Sequence, residues 1–279
     1  MENKPKGKTV KVRVFNVVIQ PTSKQSEDNY KALIDVVFNR GFEYITATDR
    51  KTKMRSLNTA GNLVFGTLVN YMRLDADDPW YNSAKDDFEH IAVDPNLNPK
   101  AKEWDYYFYP QYHRIAVPSK RGVSYGQIYN FFSKAFGEAA RILGFEDVAF
   151  NIVTSSEGIE AIFGLTQIEQ LTVEVSYSNN DNNDEFDQLI DGEMKDMNVG
   201  KLKTTAQPPN KSSFTLKEKS YLGALVRLSK NNGWARAVGK YNGKTKKVHT
   251  DQYPKEVKLT KVTDANILQK IADAIMSVL

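Results

Sequence analysis

Arg236, Lys240, Lys247 and His249 recur at alternate positions of two β-capable runs that flank Asn242-Gly243. Asn-Gly between such runs predicts a two-residue hairpin turn, because both central residues must take positive φ. The turn pairs Tyr241 with Lys244, Gly239 with Lys246 and Ala237 with Val248. One face then carries Trp234, Arg236, Val238, Lys240, Thr245, Lys247 and His249, while the other holds the small residues Ala235, Ala237 and Gly239. A cationic face with an aromatic at its base and no acidic partners is suited to phosphate. Arg236, Lys240, Lys247 and His249 would contact phosphates from that face, and Lys244 and Lys246 would reach in from the tip. Trp234 is a core anchor or a platform on which a base stacks. A solvated hairpin whose lysines protect a sheet edge is the plainer reading.

Other residues that could do chemistry are scattered. Asp75-Ala76-Asp77-Asp78 lies in a Pro- and Asn-rich loop and reads as solvated rather than as a Mg²⁺ cluster. Glu185, Asp187, Asp191 and Glu193 stand at the front of a helix, where the dipole favours negative charge; solvation is expected for them too. His113-Arg114 follows an apolar run, and with no carboxylate adjacent in sequence His113 is expected to be a buried hydrogen-bonding residue rather than a general base. The chain has no cysteine and three dispersed histidines. Thiol catalysis and Cys-ligated metals are excluded, and no cofactor or metal is expected. Phosphate-cradling glycine motifs, GxSxG and HExxH are all missing, so an enzyme is not the leading expectation.

The 279 residues are 41% hydrophobic and 26% charged, an ordinary globular composition with a net charge of +4. The charge is uneven. From Lys201 onward sixteen Lys/Arg face five acids, leaving twenty-two bases and twenty-nine acids before it. Residues 151–200 hold eleven acids and one base, Lys195. Such asymmetry points to a polyanionic partner, or to an acidic segment meeting a basic one between copies of the chain. Lys4, Lys6, Lys8, Lys11 and Arg13 form a second basic group, read as an arm in which Lys11 and Arg13 would add phosphate contacts. No apolar run reaches membrane-span length and no h-region follows the basic start, so no membrane insertion and a cytoplasmic location are expected.

The elements that must position these residues mix hairpins and helices without a βαβα rhythm. The expected class is α+β, with mixed or antiparallel sheets and packed helices. Thr9–Gln20 and Leu63–Leu74 read as strands, and Trp104–Tyr109 with His113–Val117 as a hairpin around Pro110. Helices are expected after Ser26 and after the capping box Ser124/Gln127; others start at Glu157 and Glu185 and at the caps Thr215 and Thr263. The polar run Ser178–Asp184 suggests a boundary between an N-terminal part (1–178) and a basic C-terminal part (185–279) that includes the hairpin 234–249.

Phe108–Ile115 and Asn231-Asn232-Gly233-Trp234, leading into the basic hairpin, resemble a bacterial family of uncharacterised proteins associated with phage defence. Ile159–Glu169 and the helix start Lys261–Ala265 are more distantly similar to the lambda RexA type of phage-exclusion protein. The resemblance implies a dimeric, cytoplasmic protein that binds DNA with little regard to sequence and acts in phage exclusion; it carries no catalytic motif. The residues alone support binding of nucleic acid, duplex DNA before RNA. Two alternatives stand beside it: an interaction component that oligomerises or captures a partner effector, and a metal-dependent nuclease with a divergent site.

Overall fold

The computed structural model describes residues 7–74, 78–94, 96–120, 124–176, 185–210 and 212–279. The chain runs β1 (Lys8–Gln20), α1 (Glu27–Asn39), β2 (Glu43–Ala47), β3 (Arg50–Ala60), β4 (Leu63–Met72), β5 (Trp80–Asn82), β6 (Asp87–Glu89), β7 (Lys102–Tyr109), β8 (Arg114–Pro118) and α2 (Tyr125–Leu143). It continues through β9 (Asp147–Ile152), α3 (Ser156–Phe163), β10 (Gln167–Ser176), α4 (Glu185–Asp196), β11 (Lys201–Ala206), α5 (Tyr221–Asn232), β12 (Gly233–Tyr241), β13 (Lys244–His249), β14 (Glu256–Val262) and α6 (Ile267–Met276). The fold is α+β, and the strands of its two principal sheets pair antiparallel.

The larger sheet follows the order β14-β1-β8-β7-β4-β3-β2, with β9 also on β1. β1 is its organising strand. One edge pairs with β8; along the other, β14 covers Lys8–Arg13 and β9 takes over from Phe15 to Gln20. Its alternation feeds different cores. Phe15, Val17 and Ile19 meet Leu33 and Ile34 of α1 and Phe131, Phe132 and Phe136 of α2. Val12, on the opposite face, joins Tyr107, Ala116 and the α6 residues Ile271 and Ile275. Val18 belongs to the core of the second sheet. The caps of α1 and α2 form as expected, with Ser26 Oγ accepting from Asn29 N–H and Ser124/Gln127 closing a reciprocal box.

The second sheet has the order β11-β10-β12-β13. On its inner face Leu171, Val173, Ala235, Ala237 and Val248 pack with Ala224, Leu225 and Leu228 of α5, and with residues of α3 and α4. The small side chains of β12 let the helix approach closely. The expected division into 1–178 and 185–279 cuts across these pairings. β10 is a central strand of the second sheet, whereas β14 and α6 return to β1. The run Ser178–Asp184 lies outside the described residues.

Several local expectations are corrected. α5 is capped by Ser220, whose Oγ accepts from Gly223 N–H, rather than from Thr215. α6 begins after Asn266, and Thr263 N–H donates to Asn266 Oδ1 instead of Thr263 capping the helix. Asp187 and Asp191 are buried, not solvated: Asp187 holds the fork of Arg227, at 3.0 Å from Nε and 2.6 Å from Nη2, and Asp191 pairs with Lys195 at 2.7 Å. Asp75 and Asp77 lie outside the described residues.

Where the two sheets meet, the contact is polar and buried. Asn16 Nδ2 donates to Asn232 Oδ1 at 2.7 Å and to the Asn231 carbonyl at 3.2 Å. Asn16 Oδ1 accepts from Arg114 Nη1, and Ser176 Oγ donates to the Asn232 carbonyl. Asn16, Arg114, Ser176 and Asn232 are all buried. At such sites an unsatisfied partner costs about 1–3 kcal/mol. Asn232→Ala should therefore lower unfolding free energy by about that amount, read as a drop in the urea midpoint with unchanged slope.

His113 is a second buried polar residue, and it departs from the expected hydrogen-bonding role. Its backbone is left-handed (φ 45°), and among the described residues neither ring nitrogen has a hydrogen-bond partner. Burial, reinforced by the charge of Arg114, pushes the imidazole pKa down to about 3. Between an unfolded pKa near ~6.5 and that value the unfolded chain binds the extra proton, so stability falls as pH falls, by up to ~1.4 kcal/mol per pH unit. His113→Asn, which tolerates the left-handed backbone, should flatten this loss between pH 6.5 and 5. Equal slopes for variant and parent in urea unfolding would refute the assignment.

Candidate functional site

The hairpin forms as its sequence predicts. Tyr241↔Lys244, Gly239↔Lys246 and Ala237↔Val248 are all paired, and Asn242 and Gly243 take φ of 49° and 75°. At the other end of β12, a Cβ on Gly233 would run into the Glu174 carbonyl, so glycine is what lets β12 lie against β10 there.

With α5 against the inner face, the outer face of the sheet is open. Arg236, Thr245, Lys247 and the β11 residues Lys203 and Thr205 are exposed. Trp234 stands opposite Glu174, Arg236 opposite both Thr172 and His249, Val238 opposite Lys247, and Lys240 opposite Thr245. Trp234, Arg236, Lys240, Lys247 and His249 are thus brought together on one surface. β11 adds Lys203, on the far side of Glu174 from Trp234. At the base of the face two cations lie against one aromatic: the Arg236 guanidinium sits 4.4 Å from the Trp234 ring centroid and Lys203 Nζ 5.5 Å from it.

Two features differ from expectation. The face is not free of acids. Arg236 Nη2 is 3.4 Å from Asp251, Lys240 Nζ is 3.9 Å from Glu169, and Lys201 Nζ is 3.9 Å from Glu174. All three pairs are long and partly exposed, so their attraction is modest and readily exchanged. Among the described residues Lys203 and Lys247 have no ion pair. The tip also divides: by alternation Lys244 and Lys246 share the inner side of the ribbon with Ala237 and Val248, and Lys246 Nζ folds over the Tyr241 ring at 4.7 Å.

Lys11 and Arg13 are not on an arm. Both lie within β1, and both bind Glu256 of β14: Lys11 at 3.2 Å, Arg13 through Nε at 3.0 Å and Nη2 at 2.9 Å. These bonds, that from Arg13 foremost, hold the Glu256 carboxyl below the usual carboxylate range. The Arg13 guanidinium also lies 3.8 Å from the centroid of Tyr125, at the start of α2. Lys4 and Lys6 are outside the described residues.

Arg13 nevertheless reaches the same site from the other side. A cleft of about 400 Å³ opens between the start of α2, the end of β9 and the start of β12. Arg13, Tyr125, Tyr129, Asn151, Trp234 and Arg236 line it. Two arginines, each stacked on an aromatic and each bonded to a carboxylate, therefore face one cavity, which continues into the outer face of the sheet through Trp234 and Arg236. Tyr125, Tyr129 and Lys203 were not among the expected site residues. Lys203 was legible, since Lys201, Lys203 and Thr205 alternate with Leu202, Thr204 and Ala206; the tyrosines left no signal, being embedded in an amphipathic helix pattern.

Among the described residues no group of three or more His, Asp or Glu is placed to hold a metal ion, and no helix is long and apolar enough to cross a membrane. No curated protein matches the chain in sequence. A family model described as a domain of unknown function matches residues 8–277. With that match extending over nearly every residue, the chain belongs to the DUF4747 family.

Proposed function

We propose that this protein binds nucleic acid on the outer face of its second sheet, with little dependence on sequence. The observation that carries this reading is Trp234 within cation–π reach of Arg236 and Lys203 on an open sheet face that also presents Lys240, Lys247 and His249. Cations supply the salt-dependent phosphate term, and an aromatic on a flat β surface offers a stacking platform that every base can use. A sheet face of this kind suits an unpaired strand better than a duplex. Bases of a single strand can be laid flat on it, whereas reading a duplex calls for an element that enters a groove. The setting in phage exclusion rests on the sequence resemblance to phage-defence proteins.

Fluorescence anisotropy of single-stranded and duplex probes across salt tests the reading. Lys203→Ala, Arg236→Ala and Lys247→Ala should each weaken binding and reduce the log–log salt slope by about 0.7 per lost contact on single strands, or about 0.9 on duplex. Lys246→Ala, which alters the reverse side of the ribbon, should leave the slope unchanged. Parental affinity in the folded triple variant would sink the proposal.

A second reading, self-association, is favoured by one observation. The β5–β6 hairpin exposes Trp80, Tyr81 and Phe88 beside Asp78, Asp86, Asp87 and Glu89, an apolar and acidic surface complementary to the basic sheet face of a second copy. Light scattering at low and high salt separates the two. Self-association through these surfaces predicts a dimer that dissociates as salt rises and in Phe88→Ser; a monomer at every salt concentration removes it.

A further inference from the structure

The cleft at the head of β12 differs in character from the sheet face. The face is flat and carries flexible lysines, which track a backbone. The cleft is concave, walled by rings, and its cations are two arginines, each lying against an aromatic and the first of them, Arg13, fixed in orientation. Arg13 is held twice over, by the two bonds to Glu256 and by its stack on Tyr125, which leaves Nη1 as the donor not committed to that carboxylate. Arg236 rests against the Trp234 ring at 4.4 Å, and its Nη2 makes only the long, exposed contact to Asp251, which an incoming anion can exchange. A pre-oriented guanidinium loses little further freedom when it meets a phosphate. Tyr129 is exposed at 41%; one face of its ring stacks on Phe150, with centroids 5.8 Å apart, which backs the ring and leaves its other face for a ligand. At about 400 Å³ the cavity lies in the lower part of the ~300–1,000 Å³ range of small-ligand sites. It is too small for a double helix and large enough for one nucleotide.

We propose that this cleft takes a single unpaired nucleotide, its base against Tyr125, Tyr129 and Trp234 and its phosphate on Arg13 and Arg236. The proposal rests on the nucleic-acid reading of the sheet face and adds a strand-state preference to it: a strand lying on the outer face delivers one base into the cleft, which a closed duplex cannot do without opening a pair. Asn151 also lines the cleft, and with its Nδ2 donating to Ser176 at 3.4 Å its amide oxygen is left as an acceptor. That acceptor suits an exocyclic amino group on the base edge.

The test uses the full chain with three probes: a 15-nucleotide single strand, the corresponding blunt duplex, and that duplex carrying one unpaired nucleotide at its centre. The parent should bind the single strand and the bulged duplex more tightly than the blunt duplex. Tyr129→Ala should weaken the first two by about 5- to 150-fold, the range for loss of one base–aromatic stack, with the salt slope unchanged. Tyr129→Phe should restore them. If Tyr129→Ala binds every probe as the parent does while Lys203→Ala and Lys247→Ala weaken all three, the cleft is not a nucleotide site and the sheet-face reading stands. If the folded parent binds none of the probes at 50 mM salt, both fall together.

Discussion

Among the contacts that join the second sheet to the first, the buried side chain of Asn16 is a directional one. It stands in the middle of β1, on the face directed away from α1 and α2, and its two amide atoms are committed in opposite directions. The oxygen accepts from Arg114 within its own sheet, and the nitrogen donates to Asn231 and Asn232 at the end of α5. An apolar residue there would fill the space but would not fix a direction, because dispersion contacts tolerate sliding. A hydrogen-bonded amide in a low-dielectric interior does not tolerate it, since a small shift strands several polar atoms at once. Asn232 is immediately followed by Gly233 and Trp234. The network that joins the sheets therefore also sets where β12 begins, and so where the aromatic and Arg236 stand relative to Arg13.

The same logic explains why the candidate site residues collect on one surface. β12 alternates Ala235, Ala237 and Gly239 with Trp234, Arg236, Val238 and Lys240. The small set must face α5, because only small side chains allow the helix to seat on the strand, and that choice leaves the large and charged set on the outside. β11 follows the same rule with Lys201, Lys203 and Thr205, and β13 with Thr245, Lys247 and His249. The acids Glu169, Glu174 and Asp251 lie among them. They orient the cations and reduce the net charge of the face, which makes it a surface for contacts of defined geometry rather than a uniformly positive patch.

Much of this is legible in the residues alone. Asn242-Gly243 fixed the turn, and the turn fixed the register of every pair in the β12–β13 ribbon. Ser26, Ser124 and Gln127 marked their helices because a capping side chain acts on backbone within three residues of itself. Failures came where a distant element decided the outcome. Lys11 and Arg13 looked like an arm because Glu256, which binds both, comes near the far end of the chain. The cleft was invisible for the same reason: its walls are drawn from β1, α2, β9 and β12, and no local pattern links them. The division at 178–185 failed because a polar run in sequence need not separate the strands that flank it in space.

β1 is bordered along one edge by two strands laid end to end, β14 and then β9. As the chain is synthesised, β9 can join soon after β1 and α2, but the half of β1 that carries Lys11 and Arg13 keeps an open row of amides and carbonyls until β14 has been made, with Glu256 lying 243 positions after Arg13. Until then the nascent molecule carries a vacant seam along β1, beside one edge of its larger sheet. The closing step is a long-range encounter, the slowest kind to reach and the most open to intrusion by another chain's strand.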